Sequence, residues 1–193
     1  MNETPTHTPE SWLSRQLLIA MPDMGDPNFA RSVTLLCQHN EDGAIGITIN
    51  RTSSLTLGEL FEQLDIPCDD EALAATPVLE GGPVSPDRGF VLHSPTEGFD
   101  SSLKVDDEIM VTTSRDVLAA IAAGKGPERF VVALGYAGWG GGQLEDELRE
   151  NAWLAVAADS DIVFEQPLAR RWELAVARLG IDAGRLHSAG GHA

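Results

Sequence analysis

The stretch 32-SVTLLCQHNEDGAIGITIN-50 decides the fold. Residues 32–39 alternate in character. Val33, Leu35, Cys37 and His39 fall on one face, and Ser32, Thr34, Leu36 and Gln38 on the other. Asn40-Glu41-Asp42-Gly43 follows, and Asp-Gly is a hairpin signal. Residues 43–50 return as a second strand, with Ile45, Ile47 and Ile49 forming an oily face. Ala44, Gly46, Thr48 and Asn50 form its small, polar face, which lets another backbone or a ligand approach closely. Cys37 and His39 would be same-face neighbours about 7 Å apart, since a strand rises about 3.3 Å per residue. That is too far for the hydrogen bond of a thiolate–imidazole pair, so both are read as packing.

The same punctuation recurs on either side. Residues 16–20 form a short apolar strand stopped by Pro22. Residues 56–64 carry a capping box, Thr56 and Glu59, and an apolar stripe of Leu57, Leu60, Phe61 and Leu64. Residues 65–71 read as a polar loop. Strands at 77–80 and 89–93 are joined by the turn Gly81-Gly82-Pro83, and 102–104 and 108–113 form a hairpin around Asp106-Asp107. Ser114 caps a helix running to Ala123 and stopped by Gly124. A buried strand at 130–134, a glycine-rich turn at 135–142, a helix at 143–151 and strands at 153–157 and 162–164 come next. Pro167 opens the last helix, whose stripe is Leu168, Trp172, Ala175, Val176 and Leu179. Hairpin runs with irregularly inserted helices predict an α+β fold with a mixed, mostly antiparallel sheet. One domain is expected over 12–182, with flexible tails at 1–11 and 183–193.

Composition then excludes whole classes of function. Lys+Arg is 13 and Asp+Glu is 30 in 193 residues, a net charge of −17. A nucleic-acid binder needs a basic stripe, and these cations are strewn singly apart from Arg170-Arg171. Direct nucleic-acid contact and binding to an anionic membrane are therefore not expected. The start, MNETPTHTPESW, has neither the basic nor the apolar region of a signal peptide, which makes the expected compartment the cytoplasm. Cys37 and Cys68 are far apart and read as reduced thiols, a disulfide or a reactive thiol being the alternative.

Familiar chemistry is absent from the spacing. In 130-FVVALGYAGWGGGQLEDEL-148 no Lys follows the glycines, the GxGxxG spacing fails, and Glu145, Asp146 and Glu147 would repel a phosphate. The five histidines form no HxxxH, HxH or Cys/His cluster, and neither acidic triplet (69–71, 106–108) follows the calcium-loop pattern. There is no GxSxG, SxxK or HExxH. No catalytic residue, metal ligand or cofactor is assigned. What remains is polar residues beside glycines, prolines and strand ends: Arg31, Asn50, Arg88, His93, Trp139 and Gln143.

Four phrases carry a family resemblance: 17-LLIAMPDMGDPNFARSVTLLCQHNEDGAIGITIN-50, 80-EGGPVSPDRGFVLH-93, 130-FVVALGYAGWGGGQLEDELRENAWL-154 and 172-WELAVARLGID-182. In that order they resemble the YqgE/AlgH family of bacterial proteins. The resemblance implies a bifurcated sheet curled into a pseudo-barrel beside helices. It also implies no established enzymatic activity. One branch is named for an association with control of alginate and virulence genes, which suggests a regulatory role. It supplies no catalytic residue.

Two functions follow as expectations. The first is a non-catalytic regulatory or adaptor domain that binds a small anionic ligand or a protein partner. Arg31 and Arg88 would be its anion contacts and Trp139 its aromatic anchor. The alternative is a hydrolase or transferase acting on an anionic metabolite, with His93 as general base and Arg88 as charge clamp.

Overall fold

The computed structural model describes residues 13–22, 25–26, 29–182 and 184–185. The predicted tails lie outside the described residues, apart from Gly184 and Arg185. In chain order the elements are β1 (Gln16–Ala20), β2 (Val33–Asn40), β3 (Gly43–Thr48), β4 (Thr52–Thr56), α1 (Leu57–Gln63), α2 (Glu71–Ala74), β5 (Pro77–Glu80) and β6 (Val84–His93). There follow β7 (Ser102–Lys104), β8 (Met110–Thr112), α3 (Arg115–Ala122), β9 (Phe130–Gly140), α4 (Gln143–Arg149), β10 (Trp153–Ala157), α5 (Ser160–Phe164) and α6 (Arg171–Arg178).

The strands form one sheet in the order β10-β1-β2-β3-β9-β6-β8-β7, with β5 also on β9 and β4 on β5. Every pairing is antiparallel except β5 with β9. The sheet curls into a half-barrel. Strands β1 and β8 are five places apart, about 24 Å in a flat sheet. Yet Leu17 and Ile19 of β1 share one core cluster with Val111 of β8 and Phe90 of β6. Helices α5 and α6 fill part of this concave side through Ile162, Val163, Trp172, Ala175 and Val176. On the convex side α1 and α3 cover the β5–β6–β9 half, and α4 covers the β1–β2–β3–β10 half.

The fork in the sheet lies in β9. Its first half pairs β5 on one edge and β6 on the other (Ala133 opposite both Leu79 and Phe90), and its last four residues pair β3. Between them stands Gly135 at φ +78, a left-handed conformation that disfavours any residue with a Cβ. The parity of the strand flips there. Val131 and Ala133 face the concave core, whereas beyond Gly135 it is Tyr136 that faces that way and Ala137 and Trp139 that turn outward. The expected turn at 135–142 is thus corrected: the strand runs on to Gly140, bent at one residue instead of ended.

Other expectations change for similar reasons. Register slips by one residue between Leu36 and Gln38, so Cys37 is bulged. Cys37 stays with the concave core while His39 moves to the opposite face, so the two do not share one as the alternation implied. Strands β5 and β6 do not pair with each other; both pair with β9. Residues 162–164 are helical, because the Asp159 side chain accepts from the Asp161 backbone N–H at 2.9 Å and starts α5. Pro167 precedes a single 3₁₀ turn at 168–170, and α6 begins at Arg171. The capping threonine of α1 is where expected, Thr56 Oγ1 accepting from Glu59 N at 3.3 Å.

A Cβ on Gly135 would lie 2.3 Å from the Gly82 carbonyl oxygen, a backbone atom with nowhere to go. Gly135→Ala should therefore lower the unfolding free energy by about 3 kcal/mol or more. Urea denaturation would measure it, and a loss below about 0.5 kcal/mol, the ordinary surface range, would show that this residue does not pin the fork.

Candidate functional site

A cleft of about 320 Å³ opens on the concave side, where the β2–β3 hairpin faces the β7–β8 hairpin across the curl. Its apolar lining is Cys37, Ile45, Ile47, Phe90, Leu103 and Val111. Polar groups come from Gln38, Arg88, Asp100, Ser101, Ser102 and Thr113. This is the lower end of the size range of small-molecule sites, with their usual mix of apolar walls and few polar groups. Leu103 is 47% exposed, so the apolar lining reaches the surface.

Arg88 is placed by a defect in β6. The register with β9 shifts between Val84 and Gly89, and Ser85 sits at φ +45, so residues 85–88 leave the ladder. The guanidinium carbon lies 5.3 Å from the centroid of the Phe90 ring, a cation–π placement. Among the described residues no hydrogen bond or ion pair engages this guanidinium. Cys37, by contrast, offers no anion: burial pushes its thiol up to about 12, so it lines the cleft as S–H.

On the convex face of the same strands, away from the cleft, runs a chain of side-chain hydrogen bonds: Ser102 pairs with Thr112, and Thr112 with Val91, which packs against α1 and α3. His93 is 0% exposed. Its Nδ1 lies 2.8 Å from the Ser94 carbonyl oxygen, and its Nε2 lies 2.7 Å from Thr112 Oγ1. Thr112 Oγ1 lies in turn 2.7 Å from Ser102 Oγ. A carbonyl can only accept, so Nδ1 carries the proton. In the neutral ring Nε2 must then accept, and Thr112 donates to it. Thr112 has one proton, so Ser102 donates to Thr112. Burial lowers the His93 pKa, with the bond to Ser94 opposing, which keeps the ring neutral.

The other candidates stand elsewhere. Arg31 lies 5.3 Å above the Trp172 ring. Asn50 holds the same corner: its Nδ2 donates to Arg31 O, and its Oδ1 accepts from Val33 N, both at 2.9 Å. Trp139 does not reach out to a partner. It is 7% exposed, lies against Gly46 (a Cβ there would be 3.3 Å from the ring) and donates its indole N–H to Glu147 Oε2 at 2.7 Å. Trp153 donates to the same oxygen at 3.0 Å, and the two rings meet edge to face at 5.7 Å. Gln143 Nε2 donates to the other oxygen of Glu147 at 3.1 Å. The six candidates therefore do not converge, and of them the cleft takes only Arg88.

The geometry has counterparts in known proteins. The family model described as AlgH-like matches residues 17–184. A UPF0301 protein of Stenotrophomonas maltophilia is 53% identical over 185 residues, covering 96% of this chain and 98% of its own. One from Xanthomonas campestris is 52% identical over 181 residues, covering 94% and 96%. The solution structure of the AlgH protein from Pseudomonas aeruginosa superposes with a TM-score of 0.78 at 47% identity, over 100% of both chains. The chain belongs to the AlgH-like family. A crystal structure from Corynebacterium diphtheriae, at TM-score 0.68 and 20% identity over 92% of this chain and 88% of its own, shares the fold.

In this AlgH-like chain the residues that sequence reasoning missed are Ser102, Thr112, Phe90 and Glu147. Ser102 and Thr112 sit on strands whose alternation is too short to read, and no spacing ties them to His93. Glu147 was legible only as one of three acids opening a helix. Among the described residues no helix is long and apolar enough to cross a membrane.

The lowered His93 pKa sets a pH dependence. Below the ordinary value of 6.5 the unfolded chain takes up a proton that the folded one refuses. Stability then falls with falling pH, by at most about 1.4 kcal/mol per pH unit, until the folded-state pKa is reached. Urea melts from pH 7.5 to 5 (values about there) should show this slope in the wild type and a shallower one in His93→Gln. Equal slopes would mean that His93 is not the group responsible.

Proposed function

We propose that this AlgH-like protein is a recognition domain, regulatory or adaptor in role, whose half-barrel cleft takes a small ligand with an acidic group and an apolar part. Arg88 carries the reading. It is a cation at an apolar-lined cleft, laid over Phe90, and among the described residues it makes no ion pair, although Asp100 also lines the cleft. Several other arginines are committed. Arg51 donates to Ala30 O, Arg115 to Leu64 O, and Arg171 to Ile49 O and Gln166 O. Arg149 and Arg178 pair with Asp146 and Asp159. A guanidinium fork suits a carboxylate, and Ile45, Ile47 and Leu103 suit a short hydrocarbon. The net charge of −17 disfavours a polyanion, so a nucleic acid is not the ligand proposed.

A second reading, an enzyme acting on an anionic metabolite, has its own support in the chain of hydroxyls from Ser102 to His93.

The ligand class is testable by titrating octanoate and octanol into the protein and following amide shifts by NMR. Octanoate should bind at the cleft and octanol at least about tenfold more weakly, the loss of one charge-assisted contact. Arg88→Gln should bring octanoate down to the level of octanol without changing the thermal midpoint. Equal binding of both compounds to the wild type would remove Arg88 from recognition. A gel shift with duplex DNA at low salt should show no complex, and a salt-sensitive shift would overturn the charge argument.

A further inference from the structure

We propose that the open edge of β10 is a docking site for an extended, basic segment of a partner protein, which joins the sheet as a further strand. The strand order ends at β10, whose pairing among the described residues is with β1 alone. Hydrogen bonds flank the shared register at both ends, Met21 N donating to Ala152 O at 3.3 Å and Ala158 N to Arg15 O at 2.8 Å. Antiparallel pairs alternate between bonded and non-bonded, so Leu154 and Val156 turn their backbone groups to β1 as well. The N–H and C=O groups of Trp153, Ala155 and Ala157 therefore point away from the sheet, and no other element of the described chain takes them up. Burial agrees. Leu17 to Ala20 of β1 are buried, whereas Leu154, Ala155 and Val156 are half-buried and Ala157 is exposed.

This edge carries none of the usual guards against strand addition. Its register with β1 is unbroken over all five residues, and Trp-Leu-Ala-Val-Ala holds no charge and no proline. β7 and β4, which end the other branches of the sheet, are blunted: β7 is three residues long and closes on Lys104, and β4 is irregular between Thr52 and Thr56. An added strand would extend two clusters at once, since Leu154 and Val156 adjoin the concave core, and Trp153 and Ala155 the convex one under α4. Charge selects the occupant. Residues 143–161 hold six carboxylates and one arginine, with Glu150 before the strand and Asp159 and Asp161 after it. Arg149 and Arg178 answer Asp146 and Asp159, while the Glu150 carboxylate has no partner among the described residues. Two copies paired about Ala155 would bring Glu150 of one toward Asp159 and Asp161 of the other at both ends, which opposes self-association. A strand flanked by lysine or arginine meets the same acids with the opposite charge. No residue of β10 lines the cleft, so this inference stands independently of the acid-binding reading.

The probe is the peptide Lys-Lys-Val-Thr-Val-Thr-Val-Lys-Lys, blocked at both ends, with a counterpart that carries glutamate for lysine. Amide hydrogen exchange of the full chain, followed by NMR, reads the edge directly. In the free protein the N–H groups of Trp153, Ala155 and Ala157 should exchange at least about tenfold faster than those of Leu154 and Val156. The lysine peptide should slow the first three and leave the other two unchanged. The glutamate peptide should bind at least about tenfold more weakly at low salt. Ala157→Pro removes one outward N–H at the exposed end of the strand without touching the β1 ladder, and should weaken the lysine peptide by about tenfold. Exchange in the wild type decides the matter even where the proline variant fails to fold. Unslowed exchange at Trp153, Ala155 and Ala157 with the lysine peptide overturns the proposal, as does equal binding of the glutamate peptide. A wild-type dimer in sedimentation that Ala157→Pro converts to monomer makes a second copy the occupant, and overturns it too.

Discussion

One residue without a side chain holds the two halves of the sheet together. β9 serves two sets of neighbours, β5 and most of β6 before Gly135 and β3 from Ala137 on, with Val84 of β6 still opposite Tyr136, and the left-handed backbone at Gly135 lies between the two sets. The same bend turns Ala137 and Trp139 to the convex side, where α4 packs, and leaves Phe130, Val132 and Leu134 to α1 and α3. The two halves it joins carry the β2–β3 and β7–β8 hairpins that line the cleft.

What sequence could and could not give follows from where periodicity holds. The β2–β3 hairpin was legible because turn chemistry and two-residue alternation agree over most of its length. Its one error, His39 placed beside Cys37, arises at the bulge, where alternation loses a residue and every later side chain changes sides. β9 failed for the same reason on a larger scale, since glycines at 135, 138 and 140 look like a turn when read one residue at a time. The short strands β7 and β8 were found as a hairpin, but which of their hydroxyls meet His93 is a matter of cross-strand register, and register is not written in composition. The candidates scattered for a related reason. Polar residues beside glycines mark corners generally, and Asn50 and Gln143 are fastening corners.

The arginine bias of the basic residues also has a physical account. Of 13 cations only two are lysine. Arg51, Arg115 and Arg171 give their N–H groups to backbone carbonyls at loop ends and inside the core, a task suited to a rigid fork of donors. Arg171 shows the expense of that role, because desolvation brings its guanidinium pKa down to about 10. Arg171 is buried while Arg115 stays exposed, so these bonds tie down loop ends as well as the core, and a guanidinium without such a bond, as at Arg88, stands out against them.

The carboxylate oxygen shared by Trp139 and Trp153 also makes the molecule its own optical gauge. Two of the four tryptophans are anchored to α4 through Glu147 and stacked edge to face. Undocking of α4 would free both indole N–H groups at once and expose both rings to water. Their joint emission thus reports on one helix and its hinge with the sheet, and leaves the cleft on the opposite face spectroscopically silent.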